Sequence, residues 1–168
     1  MNPVLDAIYK RRSIRDFTAD LIERDTLIKI IRAGTRAPSG LNNQPWRFAI
    51  VTNKELKAKF GELTRYEKVI GGAKALIPVF VDRDAMYHEL KDHQAIGACL
   101  QNMLLAAHSM GLGAVWLGEI LKNSDRVRDL LCLSEDLELM AVLALGHPAH
   151  RNQTSTRKSL EEVIVFEK

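Results

Sequence analysis

The stretch "YKRRSIRDFTAD", residues 9–20, places three guanidinium groups around one hydroxyl group. Arg11, Arg12 and Arg15 all lie within two residues of Ser13. Arginine donors and a serine hydroxyl match the charge and the geometry of a phosphate group. The residues alone leave two interpretations open: a cradle for one phosphate-bearing ligand, or a basic face that is simply solvated.

A nucleic-acid patch and a targeting signal are two further interpretations, and the composition argues against both. The 168-residue chain carries 24 basic and 21 acidic residues, which gives a net charge of +3. Nucleic-acid-binding proteins usually have a broader basic surface than this. The N-terminus lacks the apolar segment of a signal peptide, and no apolar run approaches the roughly 20 residues that span a bilayer. We therefore expect a cytoplasmic protein that binds neither nucleic acid nor membrane.

Other catalytic patterns are missing or incomplete. The chain has no GxxxxGK[ST] phosphate loop, and "GLGAVWLG" precedes a predicted strand, which reverses the order of a dinucleotide-binding turn. No serine lies in GxSxG, and the five histidines lack the spacing of metal ligands, so we expect no metal site. Cys99 and Cys132 lie in apolar surroundings without a CxxC motif, and we expect both to be buried free thiols.

The N-terminal elements that must position the arginines follow from periodicity and helix-end signals. "NPVLDAIYKRR" predicts a helix capped by Asn2, with arginines at the end where cations suit the helix dipole. A second helix over "ERDTLIKIIRAGTRA" ends at the turn-rich stretch "APSGLNNQPW". Its expected buried face consists of Leu27, Ile28, Ile31 and Gly34.

The middle of the chain reads as a strand, a helix and a second strand. Residues 47–51 predict the first strand, and Thr52 with Glu55 predicts a capping box for a helix that ends near residue 62. Residues 75–81 predict the second strand, in which Pro78 indicates either a sheet edge or a bulge.

A long helix is predicted over residues 86–110, and it has two apolar stripes. The stripes comprise Leu90, Gly97, Leu100, Leu104 and Ala107, and Ile96, Cys99, Met103, Ala106 and Met110. A helix that is apolar on most sides is buried on most sides, so a partner subunit is one candidate for its cover. A short helix, "SDRVRDLL", an apolar strand, "LELMAVLALG", and a polar tail ending in a predicted strand, "VIVF", complete one domain over residues 1–168.

Four stretches occur in the order seen in the nitroreductase family of FMN-dependent oxidoreductases, and together they resemble that family over nearly the whole chain. They are "YKRRSIRDF", "RAPSGLNNQPWRFAIV", "AIGACLQNMLLAAHSMGLGAVWLGE" and "MAVLALGHPAH…TRKSLEEVI". The resemblance is least between residues 54 and 86. It implies an α+β fold with a central mixed β-sheet flanked by helices. It also implies a homodimer with FMN at the subunit interface and a C-terminal strand exchanged between subunits.

The resemblance also implies which residues bind FMN. Arg11 and Ser13 would hold the phosphate, with Arg12 beside it and Arg15 near N1 and O2 of the ring. Arg157 would reach the phosphate from the tail, a role that Lys158 could share. The loop lent by the other subunit would supply Pro38, Ser39, Gly40 and Asn42, and the strand along the ring would supply Trp116, Leu117 and Gly118. No side chain is expected to be catalytic, because the flavin carries the chemistry.

The function implied by the resemblance is ping-pong reduction by NADH or NADPH, through FMN, of a small acceptor such as a nitroaromatic compound or a quinone. Two alternatives stay open: other flavin chemistry on the same fold, such as reductive dehalogenation, dehydrogenation or flavin fragmentation, and a flavin-binding protein without turnover. No nicotinamide-binding motif is readable, so the sequence does not separate NADH from NADPH.

Overall fold

A computed structural model describes residues 2–168 of the chain. The helices are α1 (Pro3–Lys10), α2 (Arg24–Gly34), α3 (Lys54–Gly61), α4 (Glu67–Gly72), α5 (Glu89–Ser109), α6 (Ser124–Leu130) and α7 (Leu160–Val163). The strands are β1 (Trp46–Phe48), β2 (Ala75–Asp82), β3 (Gly113–Leu117) and β4 (Leu137–Gly146). Within residues 2–168, none of the helices has both the length and the apolar character needed to cross a membrane.

The four strands form one sheet in the order β1-β2-β4-β3, with helices on both faces. Helices α2 and α5 pack on one face, and α3, α4 and α6 pack on the other. The expected α+β architecture and flanking helices are confirmed, but the expected mixed sheet is wrong, because every pair of adjacent strands is antiparallel. The physical reason is that β4 inserts between β2 and β3, the two parallel strands that α5 connects, and pairs antiparallel with both.

Pro78 lies in the interior strand β2, so the edge interpretation is wrong and the bulge interpretation is the better one. The register between β2 and β4 shifts between Val79 and Phe80, directly after the proline. The Pro78 carbonyl accepts a hydrogen bond from the Ala49 N–H at 3.1 Å, but proline has no N–H to return. Strand β1 consequently ends at Phe48, earlier than predicted, and pairing resumes only at one bridge between Val51 and Leu76.

Two helix starts differ from prediction because other side chains supply the caps. Helix α3 is capped by Asn53, whose Oδ1 accepts from the Leu56 N–H at 2.8 Å, and not by Thr52 and Glu55. Helix α5 begins at Glu89, because the N–H groups of the two residues before it bind the Asp92 carboxylate.

The buried faces of α2 and α5 follow the predicted periods with a few exceptions. In α2, Leu27 and Gly34 are buried as expected, but Ile30 completes the face and Ile28 and Ile31 are only partly buried. In α5, most residues in the middle of both stripes are buried against α2 and the sheet, but Gly97 and Ala106 are only partly buried. Leu90, 63% exposed, and Met110 lie at the ends of the stripes and are not buried. The stripes of α5 are therefore largely covered within one chain.

The segment that follows α1 crosses the sheet over two paired glycines. Gly113 of β3 lies opposite Gly146 of β4. A Cβ at Gly113 would lie 2.7 Å from Cγ2 of Ile14, and a Cβ at Gly146 would lie 2.6 Å from Cδ1 of Phe17. The Ile14 N–H donates to the Ala114 carbonyl at 3.0 Å. The missing side chains thus let the segment with the arginines lie directly on β3.

Replacing Gly113 by alanine is expected to destabilise the protein by about 1–3 kcal/mol, because the new methyl group must displace Ile14 and its backbone. The free energy of unfolding in urea measures this loss. Gly71→Ala is the matched control, since a Cβ there meets nothing within 4 Å. The control should leave stability unchanged or raise it by up to about 1 kcal/mol. Equal stabilities for the two variants would contradict the close approach.

The C-terminal tail contains no strand within the chain, so the prediction of a strand over "VIVF" is wrong for the isolated chain. Ser159 and Glu162 form a capping box, which favours the helical turn α7 and places Val163 at its end. The five residues that follow α7 have no strand partner, and Val165 is 96% exposed. Pairing of this tail with a second chain stays a prediction.

One of the two cysteines departs from expectation. Cys99 is buried in α5, and burial raises the pKa of its thiol to about 12. Cys132 is exposed, because it sits in the turn after α6 with a left-handed φ of 51°.

Candidate functional site

The predicted arginines and Ser13 line one cavity of about 380 Å³, here called the arginine cavity. Its lining residues are Arg11, Arg12, Ser13, Arg15, Gln153, Thr154, Ser155 and Arg157. The structure therefore brings Arg157, from the tail, to the residues that follow α1. Lys158 does not line this cavity, but it lines the neighbouring one, of about 740 Å³, together with Arg11, Arg12 and Arg157.

The arginine cavity concentrates positive charge. Burial lowers the pKa of Arg11, and the nearby charges of Arg12 and Arg157 lower it further. No acidic side chain lines the cavity. Repulsion among these cations is relieved when an anion binds between them, so the arrangement favours an anionic ligand.

Arg12 is held in place by the end of helix α1. Its Nη1 donates to the carbonyls of Tyr9, at 2.6 Å, and Arg11, at 2.9 Å. These bonds satisfy carbonyl groups that the helix end leaves without intrahelical partners. The Nε of Arg12 is buried without a hydrogen-bond partner. Arg12 thus contributes a fixed positive charge, with one donor that still lacks an acceptor.

Three lining residues, Gln153, Thr154 and Ser155, were not predicted from the sequence. They belong to the tail, which Arg151 fastens to the fold by donating to the Gly111 carbonyl at 2.6 Å. The unbroken polar run "RNQTSTR" was the available signal, because a tail so rich in hydrogen-bonding groups can line an anion site.

Strand β3 leads from the arginine cavity to the second group of predicted residues. Ser13 forms a parallel bridge with Ala114 of β3, and residues 16–18 then pair with residues 147–149, beyond the end of β4. Trp116 is 42% exposed, whereas Leu117 is 2% exposed, so only the backbone of Leu117 is available to a ligand. Gly118, at the strand end, is exposed. A ligand with an anionic end in the cavity can extend along this strand.

The far end of β3 is anchored by Glu119. Its carboxylate accepts from the Thr64 hydroxyl at 2.6 Å and from the Arg65 N–H at 3.1 Å, and it pairs with Lys122. The bond to Lys122, with the bond from Thr64, lowers the pKa of Glu119 to about 2. Glu119 therefore stays ionised at neutral pH and ties the strand end to the turn before α4.

The loop of residues 38–44 lies apart from the arginine cavity in a single chain. Asn43 Nδ2 donates to the Asp92 carboxylate at 2.7 Å, in the first turn of α5. Gln101, nine residues further along α5, lines the neighbouring cavity of about 740 Å³, beside Arg11 and Arg12. Nine helical residues span about 14 Å. The structure therefore does not bring Pro38, Ser39, Gly40 and Asn42 to the arginine cavity within one chain.

The arrangement supplies anion binding and a ligand-sized strand surface, but little acid–base chemistry. In the described part of the chain, residues 2–168, no three His, Cys, Asp or Glu side chains are grouped so that they could hold a metal ion. A cofactor with a phosphate group fits these residues, since the unpartnered Nε of Arg12 and the crowded cations favour binding of an anion.

Comparison with known proteins gives consistent similarities. The sequence profile of the Nitroreductase family matches residues 8–83 and 64–147. A crystal structure from Desulfovibrio desulfuricans, provisionally described as a nitroreductase in complex with FMN, is 47% identical with a TM-score of 0.95, covering 100% of this chain and 98% of that one.

Two curated proteins are similar at the level of sequence. An Archaeoglobus fulgidus protein, provisionally named NADH dehydrogenase/NAD(P)H nitroreductase, is 35% identical over 88% of this chain and 87% of its own length. The NADPH-flavin oxidoreductase of Vibrio harveyi is 30% identical over 98% of this chain and 73% of its own length.

Proposed function

Because the chain belongs to the Nitroreductase family and shares its fold, we propose that it is an FMN-dependent oxidoreductase that takes electrons from NADH or NADPH. The main observation behind the proposal is the arginine cavity, which lies beside the start of β3. The similar proteins are named for NAD(P)H, nitro compounds and flavin, which supports the same assignment. Acceptors of the corresponding class are small nitroaromatic compounds and quinones.

Arg11, Ser13 and Arg157 are assigned to the FMN phosphate. Guanidinium groups and a hydroxyl bind a terminal monophosphate by charge-assisted hydrogen bonds. The Arg12 side chain already donates to two backbone carbonyls. We therefore assign it a supporting charge beside the phosphate, and Lys158 a place further along the tail. This geometry favours FMN over FAD, because a terminal phosphate can be enclosed by the cations.

The protein positions the cofactor and excludes competing chemistry. FMN held by these residues would supply two-electron redox chemistry, and reductant and acceptor would use the same site in turn, which gives ping-pong kinetics. Trp116 and the backbone at Leu117 and Gly118 are assigned to the ring, and Glu119 fixes that backbone through its bonds to the turn before α4. Arg15, which lines the arginine cavity, is assigned to the pyrimidine side of the ring, as the resemblance implies.

We assign the loop of residues 38–44 to the flavin of a partner subunit. Within one chain, this loop is fastened to the first turn of α5, whereas Arg11 and Arg12 share the neighbouring cavity with Gln101, further along the helix. A two-fold dimer can bring the loop of one subunit to the cavity of the other, because such an interface repeats each contact twice. Pro38, Ser39, Gly40 and Asn42 would then complete the partner's site.

Exposed apolar side chains support the homodimer. One group lies on α1 and the other on the tail: Val4, Leu5, Ile8 and Tyr9, and Leu160, Val163, Ile164, Val165 and Phe166. Scattered apolar residues are normal on a surface, but groups of this size mark interaction sites. An obligate interface should exceed about 2,000 Å².

The edge strand β1 is the proposed acceptor for the partner's tail. It pairs only with β2, whereas β3, the strand at the other edge, also forms a bridge with Ser13. A cavity of about 750 Å³ beside β1 is lined by Leu21, Ile22, Arg24, Leu27, Phe48, Ile50, Thr52 and Lys74. Its apolar and basic lining suits the sequence "EEVIVFE", in which apolar residues are flanked by glutamates.

The visible spectrum of the purified protein, followed by anaerobic addition of NADH or NADPH, tests the proposed function. We expect a flavin spectrum that bleaches with one of the two nucleotides and recovers when a nitroaromatic compound or a quinone is added. A folded, colourless protein that ignores added FMN would refute the proposal. Bound flavin that neither nucleotide reduces would indicate a binding protein without turnover.

Replacing Arg15 by methionine is expected to lower the two-electron midpoint potential of the bound flavin. Reduction places negative charge on the pyrimidine side of the ring, and a cation there stabilises the reduced state. A charge about 4 Å away is worth roughly 4 kcal/mol at an effective dielectric constant near 20. Solvent and neighbouring arginines reduce this to a net loss of about 1–2 kcal/mol, or roughly 20–45 mV. Redox titration measures the shift, and an unchanged potential with FMN bound would place Arg15 elsewhere.

A further inference from the structure

The loop of residues 38–44 holds three non-glycine residues in the left-handed region of backbone space. The φ angles are 53° at Leu41, 55° at Asn42 and 49° at Gln44. This conformation is unfavourable for residues with a Cβ, and it persists only where the surroundings enforce it. Three such residues within four positions require a strong local constraint.

Asp92 supplies that constraint from the first turn of α5. Its side chain is completely buried, at 0% exposure. One carboxylate oxygen accepts from Asn43 Nδ2 at 2.7 Å, and the other accepts from the N–H groups of Tyr87 at 3.0 Å and His88 at 2.8 Å. A buried carboxylate that is fully engaged in this way fixes each of its donors.

These bonds also keep Asp92 ionised. Burial by itself raises the pKa of Asp92, but the bonds from His88, Asn43 and Tyr87 outweigh burial, and the pKa is lowered overall. None of the ion pairs found in residues 2–168 involves Asp92, so its charge is balanced mainly by N–H donors.

Two further contacts join the loop to the same point. Asn43 Nδ2 also donates to the Ala85 carbonyl at 3.0 Å. Gly40 packs so closely on the ring of Tyr87 that a Cβ would lie 2.0 Å from its Oη. The loop is therefore fastened to α5 and to the segment before it, while Leu41 and Asn42 at its tip stay exposed.

We propose that Asp92, acting through Asn43, is a positioning residue that presets the loop of residues 38–44 for the flavin of the partner subunit. The inference rests on the proposed function. Neither Asp92 nor Asn43 is assigned a contact with the flavin, so each acts only by holding the loop. If the loop is already ordered before FMN binds, the free-energy cost of ordering it does not weaken the binding.

Asn43→Ala is the sharpest test, because it removes the two hydrogen bonds that Asn43 Nδ2 donates, to Asp92 and to the Ala85 carbonyl. The hydrogen bonds from the N–H groups of Tyr87 and His88 to Asp92 remain. We expect the Kd for FMN to rise about tenfold, mainly through faster release, and the visible circular dichroism of the bound flavin to change. Asn53→Ala is the matched control, since Asn53 Oδ1 accepts from the Leu56 N–H at 2.8 Å at the start of α3, away from the residues assigned to the flavin. The control should lower the unfolding temperature without changing the Kd or the flavin spectrum.

Asp92→Asn gives the same readout if Asn43→Ala does not fold, because it keeps the side-chain volume and removes the charge. A purely structural lock would lower the unfolding temperature of Asn43→Ala and leave its Kd and flavin spectrum at wild-type values, which would overturn the inference. Wild-type protein that binds no FMN would instead overturn the proposed function.

Mixed dimers locate the action of the loop. One subunit carries Arg11→Ala, which damages its own arginine cavity, and the other carries Asn43→Ala. If the loop acts across the interface, one site of each mixed dimer keeps an intact cavity and an intact loop, and it should bind FMN with wild-type affinity. Two weakened sites would mean that the loop serves its own subunit, and would overturn the assignment to the partner.

Discussion

Replacing Arg11 by alanine is expected to raise the Kd for FMN by roughly 10- to 150-fold. A hydrogen bond to a charged group contributes about 1.5–3 kcal/mol, and Arg11 is a half-buried cation that lines the arginine cavity. Its lowered pKa reflects burial and the charges of Arg12 and Arg157, and that crowding is relieved by the phosphate. Titration of the flavin-free protein with FMN, followed by flavin fluorescence, measures the change.

Arg83→Ala is the matched control for this prediction. Arg83 forms an ion pair with Glu138 at 3.0 Å and does not line the arginine cavity. Its removal should change the Kd by less than about twofold, because an exposed ion pair contributes little. An Arg11→Ala protein that binds FMN as the wild type does would show that the phosphate lies elsewhere. A wild-type preference for FAD over FMN would contradict the assignment of a terminal phosphate to this cavity.

Ending the chain after Glu162 is expected to convert the dimer to a weakly associating or unfolded monomer. The deletion removes Val163, Ile164 and Phe166, which we assign to the partner's β1 edge. Burying one such side chain contributes about 1.5–3 kcal/mol, which gives an upper estimate of roughly 5–9 kcal/mol per subunit. Sedimentation equilibrium of the full-length and shortened proteins measures the effect.

A shorter deletion controls for the loss of chain length. Ending the chain after Phe166 removes only Glu167 and Lys168, and it should leave the dimer intact. If the protein ending at Glu162 sediments as a stable, flavin-loaded dimer, the tail does not hold the subunits together. A full-length protein that binds FMN as a monomer would refute the homodimer itself.

Local signals account for much of what the sequence predicted correctly. Asn2 caps α1, and its Oδ1 accepts from the Val4 N–H at 2.9 Å. Arg11, Arg12, Ser13 and Arg15 lie within five consecutive residues, so one segment places them together. Patterns of this kind depend on neighbours in the chain, which a sequence displays directly.

The features that could not be predicted depend on contacts between distant parts of the chain. Asn43 and Asp92 are 49 residues apart, and no residue next to either of them in the sequence indicates that their side chains form a hydrogen bond. The insertion of β4 between β2 and β3 is decided by packing of the whole sheet, since the pattern of each strand allows either neighbour. Arg157 was associated with the arginine cavity only through the family resemblance, because 142 residues separate it from Arg15.

Helix α5 also restricts how the length of this chain can change during evolution. The stretch between Asp92 and Gln101 sets the distance and the angle between the fastened loop and the neighbouring cavity, which Arg11 and Arg12 also line. One inserted residue would lengthen that stretch by about 1.5 Å and turn one end against the other by about 100°. Insertions or deletions there would misalign parts that must meet across a two-fold axis. The turn after α6 touches neither part, so it is a position where relatives can gain or lose residues while keeping the site.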